Sequence, residues 1–301
     1  MRNALLNTLR LTPPKGIQII DKGSHCPTLH INNPHATADI ALNGAHVFHY
    51  QPKDQAPVLW LSDTAAFEKG RAIRGGIPIC WPWFGDHATN QQLPAHGFAR
   101  SDTFELINVE ANANQETVVT LQLQSNAFNQ QYWDSLFTLD VTITVGESLD
   151  VSMTMRNDDS SSHTFSSALH SYFTISDVTK VAIKGLDETP YYDKLQNFNA
   201  AIQHGSITLD REIDRVYVPT TNEVYIDDEG LNRTINITKT GSASTVVWNP
   251  WIDKSALMND FHEGGYRCMV CVETTNTRED SMTLKSGESH TISTNIASQP
   301  H

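Results

Sequence analysis

The sequence predicts an all-β protein folded as one large antiparallel β-sandwich. Apolar and polar residues alternate along several segments, of which the clearest are Thr117–Gln124, Phe137–Val145 and Leu149–Met155. Helical periodicity is nearly absent, and no alternation of strands with helices indicates a parallel sheet. Because all-β sandwiches often run to about 200–250 residues as one unit, we expect the 301 residues to form a single domain.

Further strands are predicted where threonine, serine and valine supply side chains that suit a pleated sheet. In chain order they are Ile17–Ile20, His163–Phe173, Val181–Ile183, Glu223–Ile226, Arg233–Lys239, Ser244–Trp248, Arg267–Glu273 and His290–Ile296. Residues 146–148 (Gly-Glu-Ser) predict a hairpin turn between two of the alternating segments. Ser255–Phe261 is predicted to form a turn or two of helix, and the prolines and glycines between residues 70 and 100 predict long loops.

Composition narrows the classes of partner. The formal net charge is −13, with 34 acidic and 21 basic residues. Such a field repels phosphate backbones and anionic lipid, so we expect neither a nucleic acid nor a membrane partner. No apolar run approaches the roughly 20 residues of a membrane-spanning helix, and residues 1–10 lack the apolar core of a signal peptide. We therefore expect a monomeric, cytoplasmic protein.

The four cysteines are Cys26, Cys80, Cys268 and Cys271. Cys268 and Cys271 form a C-x-x-C, a spacing found in redox motifs and in half of a zinc site. They lie inside a short apolar run that predicts a buried strand, and the other two cysteines do not supply a second ligand pair. We expect buried structural thiols, no metal site and no cofactor.

Two loop segments carry candidate binding residues. In Arg71–Gly85 the aromatic residues are explained by packing, whereas Arg74 amid apolar residues needs an anionic partner. In Leu93–Arg100 a glycine-containing turn brings His96 close to Arg100. Taken singly, His96 is explained as a structural histidine and Arg100 as half of a surface ion pair. Together with Arg74 they supply local positive charge, and guanidinium groups suit phosphate oxygens.

Two strand segments carry candidate acid–base residues. His170 lies in a predicted strand between Leu169 and Tyr172, so it is either hydrogen-bonded in the core or a partly desolvated general acid. Glu273 follows a strongly apolar strand, where a carboxylate is costly unless it is paired, functional or able to reach solvent. The two side chains have different environments, which is the pattern that separates the pKa values of an acid and a base.

Other chemistries lack their motifs. The sequence contains no G-x-S-x-G, no P-loop and no dinucleotide-binding fingerprint. None of the 13 histidines falls in an H-E-x-x-H or similar ligand spacing. His87 and His96 are too isolated in the pattern to indicate a metal site.

Six short segments resemble, in the same order, those of the hexose-6-phosphate mutarotase branch of the aldose 1-epimerase family. They are Arg74–Pro78, Leu93–Arg100, Leu169–Phe173, Asp214–Tyr217, Val247–Trp251 and Cys271–Glu273. The resemblance covers roughly residues 30–295. It implies a galactose-mutarotase-like β-sandwich with a site on the concave face of one sheet, and a sugar phosphate as the substrate, with glucose 6-phosphate the expected one.

The resemblance also implies roles for individual residues. His170 matches the general acid of the family and Glu273 its general base, while the substrate site is lined by Arg74, His96, Arg100 and Asp214. Some members carry a glutamine where this chain has Ala95, so the preference among hexoses stays open.

Three alternatives to a sugar-phosphate mutarotase stay open. The first is a mutarotase for unphosphorylated aldoses. The second is a glycoside hydrolase or lyase, which needs a second acid that only Asp214 could supply and would release reducing ends. The third is a carbohydrate-binding domain without catalysis, which would bind sugars without exchanging their anomers.

Overall fold

The computed structural model describes residues 4–23, 26–220 and 223–301. The strands, numbered along the chain, are β1 Ile17–Lys22, β2 Cys26–Asn32, β3 Ala36–Ala41, β4 His46–Pro52, β5 Ile79–Cys80, β6 Glu105–Ala111, β7 Thr117–Gln124, β8 Phe137–Val145, β9 Ser148–Asn157, β10 His163–Phe165, β11 Ser167–Leu169, β12 Tyr172–Thr174, β13 Val181–Lys184, β14 Pro190–Asp193, β15 Asn199–Ile202, β16 Ile213–Tyr217, β17 Val224–Asp228, β18 Arg233–Thr240, β19 Ser244–Asn249, β20 Met269–Asn276, β21 Met282–Leu284 and β22 Ser289–Pro300.

Helical structure is short. The α-helices are α1 Ala4–Leu11 and α2 Trp251–Ala256. Single 3-10 turns lie at Ala99–Ser101, Asn129–Gln131, Lys194–Gln196, Glu229–Leu231, Gly265–Cys268 and Arg278–Asp280. Among the residues described, neither α-helix has the length and apolar character needed to cross a membrane.

Two eight-stranded sheets form the body of the protein. The first, here called the site sheet, has the order β15-β14-β16-β19-β20-β11-β5, with β12 also paired to β20. The second, the back sheet, has the order β13-β17-β18-β22-β9-β8-β7-β6. Strands β1–β4 make a four-stranded sheet, and β10 pairs with β21. All the strand pairs are antiparallel, which confirms the predicted all-β class.

The two large sheets share one apolar core. Val270 and Val272 of the site sheet belong to the same buried cluster as Leu121 and Val141 of the back sheet. Because successive side chains of a strand point to opposite faces, Cys271 and Glu273 of β20 point away from that core. The sandwich is therefore confirmed, and the outer face of the site sheet carries the polar residues.

The strands in which apolar and polar residues alternate were predicted accurately. The segments in which the chain changes its paired strand were not. Thr117–Gln124 and Phe137–Val145 are the observed β7 and β8. The predicted strand His163–Phe173 is broken into β10, β11 and β12, because β10 pairs with β21 whereas β11 lies between β20 and β5. The predicted strand Arg267–Glu273 begins only at Met269, after a 3-10 turn.

The one predicted helical segment, Ser255–Phe261, is displaced. The helix α2 ends at Ala256, and it begins directly after β19, where the Asn249 side chain accepts a hydrogen bond from the Trp251 N–H at 2.9 Å. Strands β2–β6, β14–β16 and β21 and the helix α1 were not predicted. Strand β3 is buried on both faces over most of its length and β15 is exposed throughout, so neither shows the alternation of a half-buried strand.

A clamp between two loops gives the predicted irregular region its shape. The Trp81 carbonyl accepts hydrogen bonds from the Phe98 N–H at 3.1 Å and the Ala99 N–H at 3.2 Å. Gly97, which directly precedes Phe98, has a φ of +71°. Its backbone passes so close to Trp81 that a Cβ at position 97 would lie 2.0 Å from the Trp81 oxygen. The clamp holds His96, whose own φ is +65°, a strained conformation typical of functional sites.

We expect Gly97→Ala to destabilise the protein far more than Gly85→Ala. Both glycines have a positive φ, which costs an alanine roughly 1–2 kcal/mol, but nothing lies within 4 Å of a Cβ placed at Gly85. The alanine at position 97 must also push the backbone at Trp81 away, so the difference between the two variants should exceed about 1 kcal/mol. Urea unfolding measures both, and equal losses would show that the clamp opens at little cost.

Candidate active site

His170 and Glu273 form a buried pair on the outer face of the site sheet. His170 lies between β11 and β12, both of which pair with β20, the strand that carries Glu273. Its backbone N–H donates to the Pro78 carbonyl at 3.1 Å, which fixes this short break between the strands. The Nδ1 atom of His170 is 3.4 Å from Oε1 of Glu273, and the two side chains are 8% and 1% exposed. The structure thus brings together residues that are about 100 positions apart in the sequence.

Burial favours the uncharged form of each group. Burial raises the pKa of Glu273 well above its usual range; the Asp214 charge adds to this rise and Lys194 opposes it. Burial also lowers the pKa of His170 well below its usual range, and the charge of Arg100 lowers it further. Both shifts have the same main cause, the loss of hydration that stabilises a charged group in water.

Polar atoms of this pair are left without partners. Among the residues described, neither Nδ1 of His170 nor Oε2 of Glu273 has a hydrogen-bond partner. A buried polar atom without a partner costs about 1–3 kcal/mol, so the arrangement is suited to a ligand that supplies the missing contacts.

An aromatic frame surrounds the imidazole. The ring of His170 stacks on Tyr172 with centroids 4.8 Å apart, and the edge of Trp248 meets it at 6.0 Å. The ring of His96 is 5.6 Å away, so this predicted site residue lies beside the pair. Burial lowers the pKa of His96 well below its usual range, with Arg100 adding to the effect, which keeps this imidazole neutral.

Arg74 and Arg100 line one cavity of about 220 Å³, together with Arg71, Tyr172 and Asp260 among others. Two nitrogens of Arg74 are held: Nε donates to Asp260 at 3.2 Å and Nη1 donates to the Tyr172 hydroxyl at 3.0 Å. Through Tyr172 this cavity adjoins His170. The sequence prediction that these arginines lie together is supported by this geometry.

Arg100 also has a role in its own loop. Its Nη2 atom donates to the Ala95 carbonyl at 2.7 Å. The residue that replaces the glutamine of some relatives therefore contributes a backbone acceptor, and its side chain supplies no polar contact.

Asp214 lies in the same row of the site sheet. It is opposite Trp248 on β19, which in turn is opposite Cys271 on β20. Its Oδ2 atom accepts a hydrogen bond from Lys194 Nζ at 2.9 Å. Burial raises the pKa of Asp214, and the Lys194 ammonium opposes the rise.

Lys194 was not predicted from the sequence. It lies in the 3-10 turn after β14, and only the pairing of β14 with β16 brings it to Asp214. No motif surrounds it, so the sequence contains no signal that could have found it. Tyr172 and Asp260, which hold Arg74, were also not predicted as site residues, although Tyr172 lies within a segment that was singled out.

The cysteines agree with the predicted burial except at one position. All four are free thiols, and Cys26, Cys80 and Cys271 are buried. Cys268 is only half-buried, because it ends the 3-10 turn before β20, where its Sγ donates to the Gly265 carbonyl at 3.3 Å. Cys271 has a location that was not predicted: its Sγ and one ligand atom each of His170 and Glu273 lie within 4.8 Å of one another.

Comparison with known proteins gives a consistent result. The family model described as aldose 1-epimerase matches residues 27–297. A protein of Escherichia coli strain K12, named provisionally as a glucose-6-phosphate 1-epimerase, is 34% identical over 261 residues, which are 86% of each chain. A protein of Salmonella typhimurium with the same provisional name is 36% identical over 245 residues, 81% of each chain.

Solved structures agree. The crystal structure of YeaD from Salmonella typhimurium, named provisionally as a mutarotase, matches with a TM-score of 0.89 and 30% identity. The match covers 99% of this chain and 100% of that chain.

We expect Lys194→Met to raise the pKa of Asp214, and that of Glu273 as well, because it removes an ammonium group that stabilises both carboxylates. The measurement is a titration of the carboxyl carbons by NMR. Lys184→Met is the matched control, since Lys184 pairs with Asp227 on the back sheet. An unchanged titration of Asp214 in Lys194→Met would show that the Lys194–Asp214 pair does not form in solution.

Proposed function

Since the chain belongs to the aldose 1-epimerase family, we propose that it interconverts the α and β anomers of a hexose 6-phosphate, with glucose 6-phosphate as the expected substrate. The observation that carries this proposal is the buried His170–Glu273 pair with its unsatisfied atoms. The arginine-lined cavity beside the pair supports the choice of a phosphorylated sugar.

The proposed reaction needs one proton acceptor and one proton donor. Glu273 takes the proton of the anomeric hydroxyl while His170 gives a proton to the ring oxygen, and the pyranose opens to an aldehyde. Rotation about C1–C2 presents the other face of the carbonyl, and both proton transfers then run in reverse to close the other anomer. Acid–base catalysis and positioning account for the acceleration, because the free sugar already interconverts slowly in water.

The reaction begins with an imidazolium at His170 and a carboxylate at Glu273, whereas burial disfavours the charged form of each group. The facing atoms of the two side chains are 3.4 Å apart. At this distance each charge stabilises the other, so the two charged forms are expected to arise together.

The arginines are proposed to bind the phosphate and to assist the acid. Burial is the largest cause of the lowered pKa of His170, and the charges of Arg100 and Arg74 lower this pKa further. A bound phosphate dianion neutralises these charges, which favours the imidazolium form of His170 when the substrate is present. Asp260 and Tyr172 hold the Arg74 guanidinium in place, so the side chain is oriented before the substrate arrives.

Two further residues are proposed to contact the sugar. Asp214 accepts hydrogen bonds from sugar hydroxyls, and the ammonium group of its partner Lys194 opposes the rise in its pKa that burial causes. His96, held neutral beside the pair, can donate through one ring nitrogen and accept through the other.

We also propose that the protein is a single-domain monomer of the cytoplasm. One buried apolar cluster contains residues of both large sheets and of the four-stranded sheet, which supports one domain. The four free thiols are consistent with a reducing compartment.

We expect Glu273→Gln to lower kcat by about 10²–10⁴-fold, since the amide cannot accept the anomeric proton and general acid–base groups contribute about this much. His170→Asn should lower kcat similarly, with little change in the affinity for glucose 6-phosphate. Two-dimensional exchange NMR of the anomers measures the rate. Glu279→Gln is the matched control. Glu279 follows β20 in the chain, but its carboxylate lies at the surface, where it accepts a hydrogen bond from the Tyr192 hydroxyl. A near-normal rate in Glu273→Gln would refute the assignment of the base.

We expect Arg100→Ala and Arg74→Ala to discriminate between sugars. Each substitution should lower kcat/KM for glucose 6-phosphate. The loss should correspond to on the order of 1.5–3 kcal/mol of transition-state stabilisation, the range for hydrogen bonds to charged groups. The value of kcat/KM for glucose should barely change. Lysine at either position should rescue only in part, since it keeps the charge but loses the planar fork.

Arg71→Ala is the control for these two variants. Arg71 lines the same cavity, but its side chain is 55% exposed and pairs with Glu68. If both sugars lose activity equally in Arg100→Ala and Arg74→Ala, the arginines contact the ring or hold the loop at Ala95. The assignment of a phosphorylated sugar then fails, while the mutarotase proposal survives.

A further inference from the structure

Three side chains of different chemistry meet on the outer face of the site sheet. A ring nitrogen of His170, the Sγ atom of Cys271 and a carboxylate oxygen of Glu273 lie within 4.8 Å of one another. Cys271 and Glu273 are two positions apart on β20, so their side chains share a face. All three residues are buried. The proposed reaction uses His170 and Glu273 and leaves Cys271 without a role.

The three groups are ligands that zinc prefers. Zinc binds thiolate, imidazole and carboxylate with bonds of about 2.3, 2.0–2.1 and 2.0–2.2 Å, so the ligand atoms of a tetrahedral ion stand about 3.5 Å apart. His170 Nδ1 and Glu273 Oε1 are already 3.4 Å apart. The Sγ atom of Cys271 lies within 4.8 Å of the ligand atoms of the other two residues, so three of the four ligand positions have a candidate side chain.

Unsatisfied atoms independently indicate a ligand at this place. Within the described part of the chain, Nδ1 of His170 and Oε2 of Glu273 have no hydrogen-bond partner, and both residues are more than nine-tenths buried. A cation bound between them would supply the missing interaction to both. No ordinary packing requirement explains a thiol, an imidazole and a carboxyl group facing one another without a hydrogen bond.

The charge balance permits a divalent ion despite the nearby arginines. Arg74 and Arg100 oppose a cation, and Asp214 favours one. Zinc bound to a thiolate and a carboxylate forms a neutral unit, so the occupied site places no net positive charge next to the arginines. Binding releases the proton of the Cys271 thiol and any proton carried by His170 or Glu273.

We propose that His170, Cys271 and Glu273 form an inhibitory zinc site, in which the fourth position of the ion is taken by water. An ion at this site occupies the proposed acid and base together and so blocks proton transfer to a sugar. The site depends only on the three side chains, and zinc binding does not require that the pair act on a sugar.

Cobalt(II) serves as the probe, because a tetrahedral cobalt–thiolate site has visible d–d bands and a near-ultraviolet charge-transfer band from sulfur. We expect the reduced, metal-free protein to bind one Co²⁺ with both signals and to lose them when one equivalent of Zn²⁺ is added. Cys271→Ser should abolish the charge-transfer band and weaken zinc binding by at least about tenfold. Cys268→Ser, which removes the half-buried thiol of the same C-x-x-C, should keep the band.

A second variant protects the test if Cys271→Ser does not fold. Glu273→Gln retains the thiolate and should keep the charge-transfer band while binding zinc more weakly. Zinc should also inhibit anomer exchange in the wild-type protein, and EDTA should reverse the inhibition, with each variant compared to its own rate without zinc.

Either of two results would overturn the proposal. One is a cobalt spectrum without a thiolate band, and the other is a band that survives Cys271→Ser and disappears in Cys268→Ser. Inhibition by zinc without the cobalt signals would place the inhibitory ion elsewhere on the protein. Because the spectra need no sugar, failure of the proposed sugar reaction leaves this test intact.

Discussion

The burial of a carboxyl group at Glu273 is the constraint on which the rest of the site depends. Every residue of β20 is buried. The strand is paired within the sheet with β19 along one edge and with β11 and β12 along the other. Such a position favours the neutral acid and makes an unpartnered oxygen costly. The neighbouring imidazole of His170 also has a nitrogen without a hydrogen-bond partner among the described residues, and a ligand that contacts both groups would recover the free energy lost there.

Local positive charge is the second requirement, because the protein as a whole is acidic, with a net charge of −13. Arg74, Arg100 and Lys194 come from three separate segments and meet around the pair. Arg74 and Lys194 each have a carboxylate partner, Asp260 and Asp214 respectively. These partners hold the cations in place and reduce the repulsion among them, so under the proposed function a dianionic sugar would meet a cluster that is already oriented.

Much of the fold could be predicted because burial on one face leaves a regular trace in the sequence. Strand β7 alternates between buried and less buried residues over its whole length and β8 does so from Leu139 onward, and the bounds of both were predicted to the residue. Strand β3 is buried on both faces and β15 on neither, so alternation could not reveal them. The two breaks in this region could not be predicted either. The first, between β10 and β11, arises when the chain changes its neighbouring strand from β21 to β20, and the second, at His170, lies where the backbone N–H bonds to the Pro78 carbonyl.

The sequence by itself determined the all-β class and the residues that packing could not explain. Arg74, His96, Arg100, His170, Asp214 and Glu273 were identified in this way or by resemblance, and the structure places them around one site. Only the tertiary structure decided that Lys194 reaches Asp214, that Tyr172 and Asp260 hold Arg74, and that Cys271 faces the acid–base pair. These contacts join residues far apart in the chain through the register of paired strands, and register depends on interactions between strands that no single segment encodes.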